Sequence, residues 1–161
     1  MEPANDHKTL QALAAKFGDS VIEHGVDRGD AVAVIDPGAI HDVIAWLREE
    51  HSFAMLVDLC GVDYLPRRPR FEVVYQLHAM TRNERIRLRV QLEGKSPEVA
   101  TITDLYPVAD WLERETWDMF GIVFSGHPDL KRLLMYEPFE GHPLRRDYPI
   151  NKRQPLIGPR N

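Results

Sequence analysis

Five of the chain's twelve prolines, Pro138, Pro143, Pro149, Pro155 and Pro159, lie beyond Lys131. Each removes a backbone donor and fixes φ, so neither a helix nor a central strand persists through them. The chain therefore divides into a body, residues 1–130, that can hold regular structure, and an arm, residues 131–161, that cannot. The arm is nevertheless punctuated by Leu133, Leu134, Met135, Tyr136, Phe139, Leu144, Tyr148 and Ile150. An extended segment of this kind is suited to lie on another surface, and its prolines reduce the entropy lost on docking.

Charge follows the same division. The last 31 residues carry seven lysines and arginines against three carboxylates, although the whole chain has a formal charge of −5. A basic arm on an acidic body suggests an acidic partner. The single cysteine, Cys60, excludes an intrachain disulfide and cannot by itself ligate an iron–sulfur cluster. It fits a reducing compartment, and the first residues do not read as a signal peptide. A length of 161 residues suits one domain with a sizeable core.

The body reads as an α/β (α+β) domain with a mixed sheet of about five strands and three helices. Leu10, Leu13, Ala14 and Phe17 recur at helical spacing before Gly18. The apolar runs 21–26 and 31–35 predict a strand pair. Asp36 and Pro37 predict the cap and first position of a second helix, which runs to about Glu50. Residues 53–59 are nearly all apolar, as in a strand covered on both faces. Residues 71–77 and 86–92 alternate as two further strands. Arg85, Arg87 and Arg89 share the opposite face of the last one. A solvated sheet face is the plainer reading, since a nucleic-acid face would interleave aromatics with the arginines. The third helix is expected from about Tyr106 to Phe120.

On that helix Asp110, Arg114 and Asp118 fall in one row at i, i+4 and i+8, so the guanidinium is expected between two carboxylates. Trp111, Trp117 and Phe120 cannot all face one core, and tryptophan and arginine are favoured interface anchors. Glu113, Glu115 and Asp118, with His127 and His142, contain the residue types of a metal or acid–base site. The spacing argues against one. Glu-x-x-Asp is not the Glu-x-x-His of carboxylate-bridged metal bundles, and both histidines precede proline. No nucleotide-binding, nucleophile-elbow or zinc-protease motif occurs. An interface role is therefore expected rather than catalytic, cofactor-binding or metal-ligating residues.

Glu113-Arg114-Glu115, Asp118, Gly121-Ile122, His127, Lys131 and Leu133-Leu134 together resemble the signature of the C-subunit family of respiratory complex I, the proton-pumping NADH:quinone oxidoreductase. The segment Gly141 to Pro149, GHPLRRDYP, resembles the family's downstream segment, with Arg146 where lysine is common. The resemblance implies a structural subunit of the hydrophilic arm, peripheral on the cytoplasmic face of the membrane. It implies an arm wrapped on the D subunit, the hydrogenase-like protein that helps form the quinone site. FMN, iron–sulfur clusters and quinone would then sit in partner subunits and none in this chain. The equivalent subunit of a related membrane-bound hydrogenase is the alternative. The expected partner-facing residues on and after the helix are Glu113, Arg114, Glu115, Trp117, Asp118, His127, Lys131 and Arg132. Those farther along the arm are Tyr136, Phe139, His142, Arg145, Arg146 and Tyr148.

Overall fold

The computed structural model describes residues 7–156 and 158. Helix α1, Lys8–Phe17, starts where the His7 ring accepts the Leu10 N–H, and it buries Leu10 and Leu13. Gly18 ends it with φ +51°, its N–H bonded to the Ala14 carbonyl. Strands β1, Val21–Asp27, and β2, Asp30–Ile35, form an antiparallel hairpin. Helix α2 spans Ile40–His51 and buries Ile40, Val43, Ile44 and Leu47. It starts later than Asp36-Pro37 predicts. The Asp36 carboxylate accepts the Gly38 N–H at 2.8 Å, which turns the chain before the helix can begin.

Strands β3, Met55–Asp63, β4, Phe71–Ala79, and β5, Glu84–Leu92, complete a mixed five-stranded sheet ordered β1-β2-β5-β4-β3. Within it only the β2–β5 pairing is parallel. Ala31, Ala33, Ile35, Val73, Tyr75, Leu77, Ile86, Leu88 and Val90 face the helices as one core. The opposite sheet face is charge-paired. Arg89 forks Glu72 at 2.9 and 2.7 Å, and Arg87 meets Asp30 at 2.9 Å. Strand β3 is an edge strand, not the doubly covered one its composition predicts. Its register slips between Leu56 and Asp58, and Met55 and Val57 are 43% and 49% exposed.

A short parallel pair follows, β6, Glu98–Ala100, with β7, Val123–Ser125, and between them lies helix α3, Ala109–Phe120. The predicted first turn of α3 is instead a run of tight turns over 102–108, with the Tyr106 hydroxyl donating to the Phe53 carbonyl at 2.5 Å. Helix α3 lies close to β3, and Gly61 permits it. A Cβ there would sit 2.9 Å from both Phe120 and Thr116 side-chain atoms. The described part of the arm does not run clear of the body. It folds back over the end of α3 and the turn between β3 and β4, where His142 and Arg145 bond to α3 and Asp147 bonds to Arg70.

Candidate interface around helix α3 and the arm

The carboxyl end of α3 is built by residues far along the chain. Asp118 is fully buried, and one of its oxygens accepts the N–H groups of Leu133, Leu134 and Met135 at 3.1, 2.9 and 2.9 Å. Its other oxygen meets Arg132 Nη1 at 2.6 Å. Burial works to raise the Asp118 pKa, but the Met135 N–H, Arg132 and the other two N–H groups outweigh it, so the carboxyl lies below its ordinary value. Arg132 also donates to the Phe139 and Gly141 carbonyls. Its guanidinium lies over the Trp117 and Phe139 rings at 5.8 and 5.5 Å.

The last carbonyls of a helix lack intrahelical partners. Here the arm supplies them. His142 Nδ1 donates to the Asp118 carbonyl at 3.0 Å, the Leu144 N–H to Met119 at 3.1 Å, and Arg145 Nε to Phe120 at 2.5 Å. Burial and the nearby guanidiniums of Arg145 and Arg132 lower the His142 pKa, despite the bond to Asp118. Gly121 makes the close approach possible. Its φ is +69°, and a Cβ would fall 2.5 Å from His142 Nε2.

A second clamp holds the arm to the turn after β3. Arg70 forks Asp63 at 2.9 and 2.7 Å and Asp147 at 3.0 and 2.7 Å, while the Arg146 N–H donates to Asp63 at 2.9 Å. Beyond it, Phe139 stacks on Tyr148 and meets Tyr136 edge-on, and Tyr136 donates to the Pro155 carbonyl at 2.8 Å. No local pattern in the sequence signals the Asp63–Arg70–Asp147 clamp, since Asp147 is 77 residues from Arg70.

Helix α3 departs from the expected charge row. Arg114 is not bracketed by Asp110 and Asp118, because both carboxylates are engaged elsewhere. Asp110 meets His127 Nε2 at 3.1 Å, with the His127 Nδ1 accepting the Asp129 N–H. Arg114 instead donates to the Lys131 and Arg132 carbonyls, each at 3.3 Å, and covers the Trp111 ring at 5.4 Å. Glu113 is also fully buried, accepting from Thr101 Oγ1 at 2.5 Å and Ile102 N at 2.8 Å. Burial raises its pKa to about 7, against the lowering effect of those two bonds. Glu113 and Asp118 are thus spent inside the chain and present no carboxylate to a partner. Glu115 is exposed, Trp117 half-buried, and Lys131 pairs with Asp129 at 2.5 Å. Exposed apolar side chains border the same helix: Val108, Trp111 (58% exposed), Leu134 and Leu144.

The family described as the 30 Kd subunit of respiratory-chain NADH dehydrogenase matches residues 33–154. This chain belongs to that family. The C subunit of NADH-quinone oxidoreductase from Roseiflexus sp. (strain RS-1) is 47% identical over 147 residues, which span 90% of this chain and 84% of the relative. Among solved structures, the trypsin-resistant fragment (1-134) of Nqo5 is 33% identical with a TM-score of 0.65, covering 76% of this chain and 97% of the fragment. A chain from the membrane-bound sulfane sulfur reductase, an archaeal respiratory membrane complex, shares the fold at a TM-score of 0.76 and 21% identity, over 89% of this chain and 85% of its own. The chain is thus a subunit of the NADH-quinone oxidoreductase type. Among its described residues no helix is long and apolar enough to cross a membrane.

Proposed function

We propose that this subunit is an assembly element. It carries no redox chemistry of its own and docks through the outer side of α3 and the arm onto the hydrogenase-like D subunit. Electron transfer from NADH through flavin and iron–sulfur clusters to quinone, coupled to proton translocation, proceeds in neighbouring subunits. The chain is held at the cytoplasmic face of the membrane only through them. The observation that carries the reading is the distribution of side chains around α3. Its carboxylates Glu113 and Asp118 are committed to internal structure, while Trp111, Leu134 and Leu144 remain exposed beside it. Exposed aromatic and aliphatic groups bordering a rigid helix are what an interface core requires. Trp117, Tyr136, Phe139 and Tyr148 support this face by holding the arm in shape, and Arg114 holds the Trp111 ring. The name of the Roseiflexus relative favours this complex over the hydrogenase alternative.

Co-purification from native membranes tests the proposal. Trp111→Ala combined with Leu144→Ser is expected to leave the melting temperature of the isolated chain nearly unchanged. Its recovery with the hydrogenase-like partner should fall by tenfold or more, about 1.4 kcal/mol at least. Full recovery of the double variant in the complex would place the docking surface elsewhere.

A further inference from the structure

A cleft of about 520 Å³ opens between the turn after β3, the loop after β5 and the arm. Arg67, Arg68, Arg70, Lys95 and Arg145 line it, with Asp147 as the one carboxylate in its wall among the described residues. Arg70 is already held by Asp63 and Asp147. Arg145 is spent on the carbonyls that end α3, and both burial and the adjacent Arg70 charge lower its pKa. The other three are not neutralised. Among the described residues Arg67, Arg68 and Lys95 have no carboxylate within ion-pair distance, and all three are exposed. Five cations against Asp63 and Asp147 make this a positive concavity on a chain whose formal charge is −5.

We propose that this cleft receives an acidic, extended segment of a neighbouring subunit, whose carboxylates pair with Arg67, Arg68 and Lys95. Guanidinium groups pair carboxylates in a bidentate fork, and Leu65 and Pro66 add an aliphatic wall against which a peptide can lie. A nucleic-acid strand would need a free aromatic platform. The aromatics against its cations are not free: Tyr64 is covered by Arg67 at 4.1 Å, and Phe71 is buried under Arg70 and Arg145 at 4.6 and 5.1 Å. The inference rests on the reading of this chain as a docked subunit, and it adds a contact separate from Trp111 and Leu144.

Lys95 permits a direct test. A carbodiimide joins an amine to a carboxylate touching it, with loss of water, and mass spectrometry of the cross-linked native complex then identifies both peptides. The expected product links Lys95 to an Asp or Glu of another chain. That product should disappear in the Lys95→Arg complex, which keeps the charge. Arg67→Glu with Arg68→Glu should lower recovery of the chain in the complex more than about tenfold, because like charges would then oppose each other across the contact. A complex in which other lysines are linked but Lys95 is not, or is linked only within its own chain, overturns the proposal. So does full assembly of the charge-reversed variant, or assembly unchanged while its binding to vesicles of anionic lipid is lost. Absence of the wild-type chain from the purified complex would sink the docked-subunit reading itself, and this inference with it.

Discussion

Glu113 and Asp118 sit five residues apart on one helix, both fully buried, and their surroundings push them in opposite directions. Asp118 has a guanidinium and three N–H groups, whereas Glu113 has one hydroxyl and one N–H. Glu113 therefore has a pKa of about 7 against an ordinary 4.5, raised by burial. Between those values the folded chain keeps a proton that the unfolded chain has released. Stability accordingly falls as pH rises from about 4.5 to about 7 and levels off above that, a change of about 3 kcal/mol or less. Glu113→Gln should remove this dependence, so its melting temperature relative to the parent rises between pH 5 and pH 8. A parallel shift of both proteins over that range would show that Glu113 is ionised throughout. Asp118→Ala leaves three N–H groups without their acceptor and takes from the half-buried Arg132 guanidinium its only carboxylate among the described residues, though not its bonds to the Phe139 and Gly141 carbonyls, and is expected to cost about 3–5 kcal/mol. Arg114→Ala loses two long bonds and a ring contact and should cost only about 1 kcal/mol. Equal urea midpoint shifts for the two variants would contradict this ranking.

Helix α3 shows what was legible at the scale of elements. Its periodicity, its aromatic content and the glycine after it are local, and the sequence placed it within three residues at its start and at the right end. The pairing of its charges is not local. Asp118 finds its partner 14 residues on and the α3 carbonyls find theirs in the arm, so a row drawn on the helix alone assigned Arg114 the wrong neighbours. Strand β3 misled for a related reason: an apolar run reads the same at a sheet's edge as at its centre. The parallel pair β6–β7 has three residues per strand, too few to show a period. The arm's packing makes removal of residues 136–161 more costly than an extended arm implies. The truncated chain keeps Arg132 to Met135 on Asp118 but loses the bonds from His142, Leu144 and Arg145 and the Asp147 clamp. Its far-ultraviolet circular dichroism should persist with a melting temperature roughly 5–15 °C lower. Gly121→Ala then separates arm packing from backbone strain. In the truncated chain it costs only the left-handed conformation, about 1 kcal/mol, and in the full chain it must also displace His142 and Arg145, adding about 1–3 kcal/mol. Equal costs in both backgrounds would mean that the arm does not rest on α3 in solution.

At the scale of the whole molecule, the basic arm on an acidic body turns out to be partly self-satisfied. Arg132 meets Asp118, Lys131 meets Asp129, Lys152 meets Glu140, and Arg145 ends α3. Two of the three arginines in the β5 row are similarly drawn into pairs, Arg89 with Glu72 and Arg87 with Asp30. Three exposed cations without an ion pair among the described residues, Arg67, Arg68 and Lys95, gather in one cleft, while exposed apolar surface is left around α3. These two surfaces should respond differently to salt. Apolar anchors act through water exclusion and residence time, whereas charges at a contact act through encounter rate and are screened over about 10 Å at 0.1 M salt. Binding of the purified chain to its partner subcomplex, measured from about 50 to 500 mM salt, should therefore separate them. Trp111→Ala with Leu144→Ser is expected to weaken binding by a similar factor at every salt concentration, chiefly through faster dissociation. Arg67→Glu with Arg68→Glu is expected to slow association at low salt and to converge toward the parent as salt rises. If the charge-reversed protein instead loses a constant factor at all salt concentrations, the cleft residues act by shape and not by field, and the acidic-segment assignment falls.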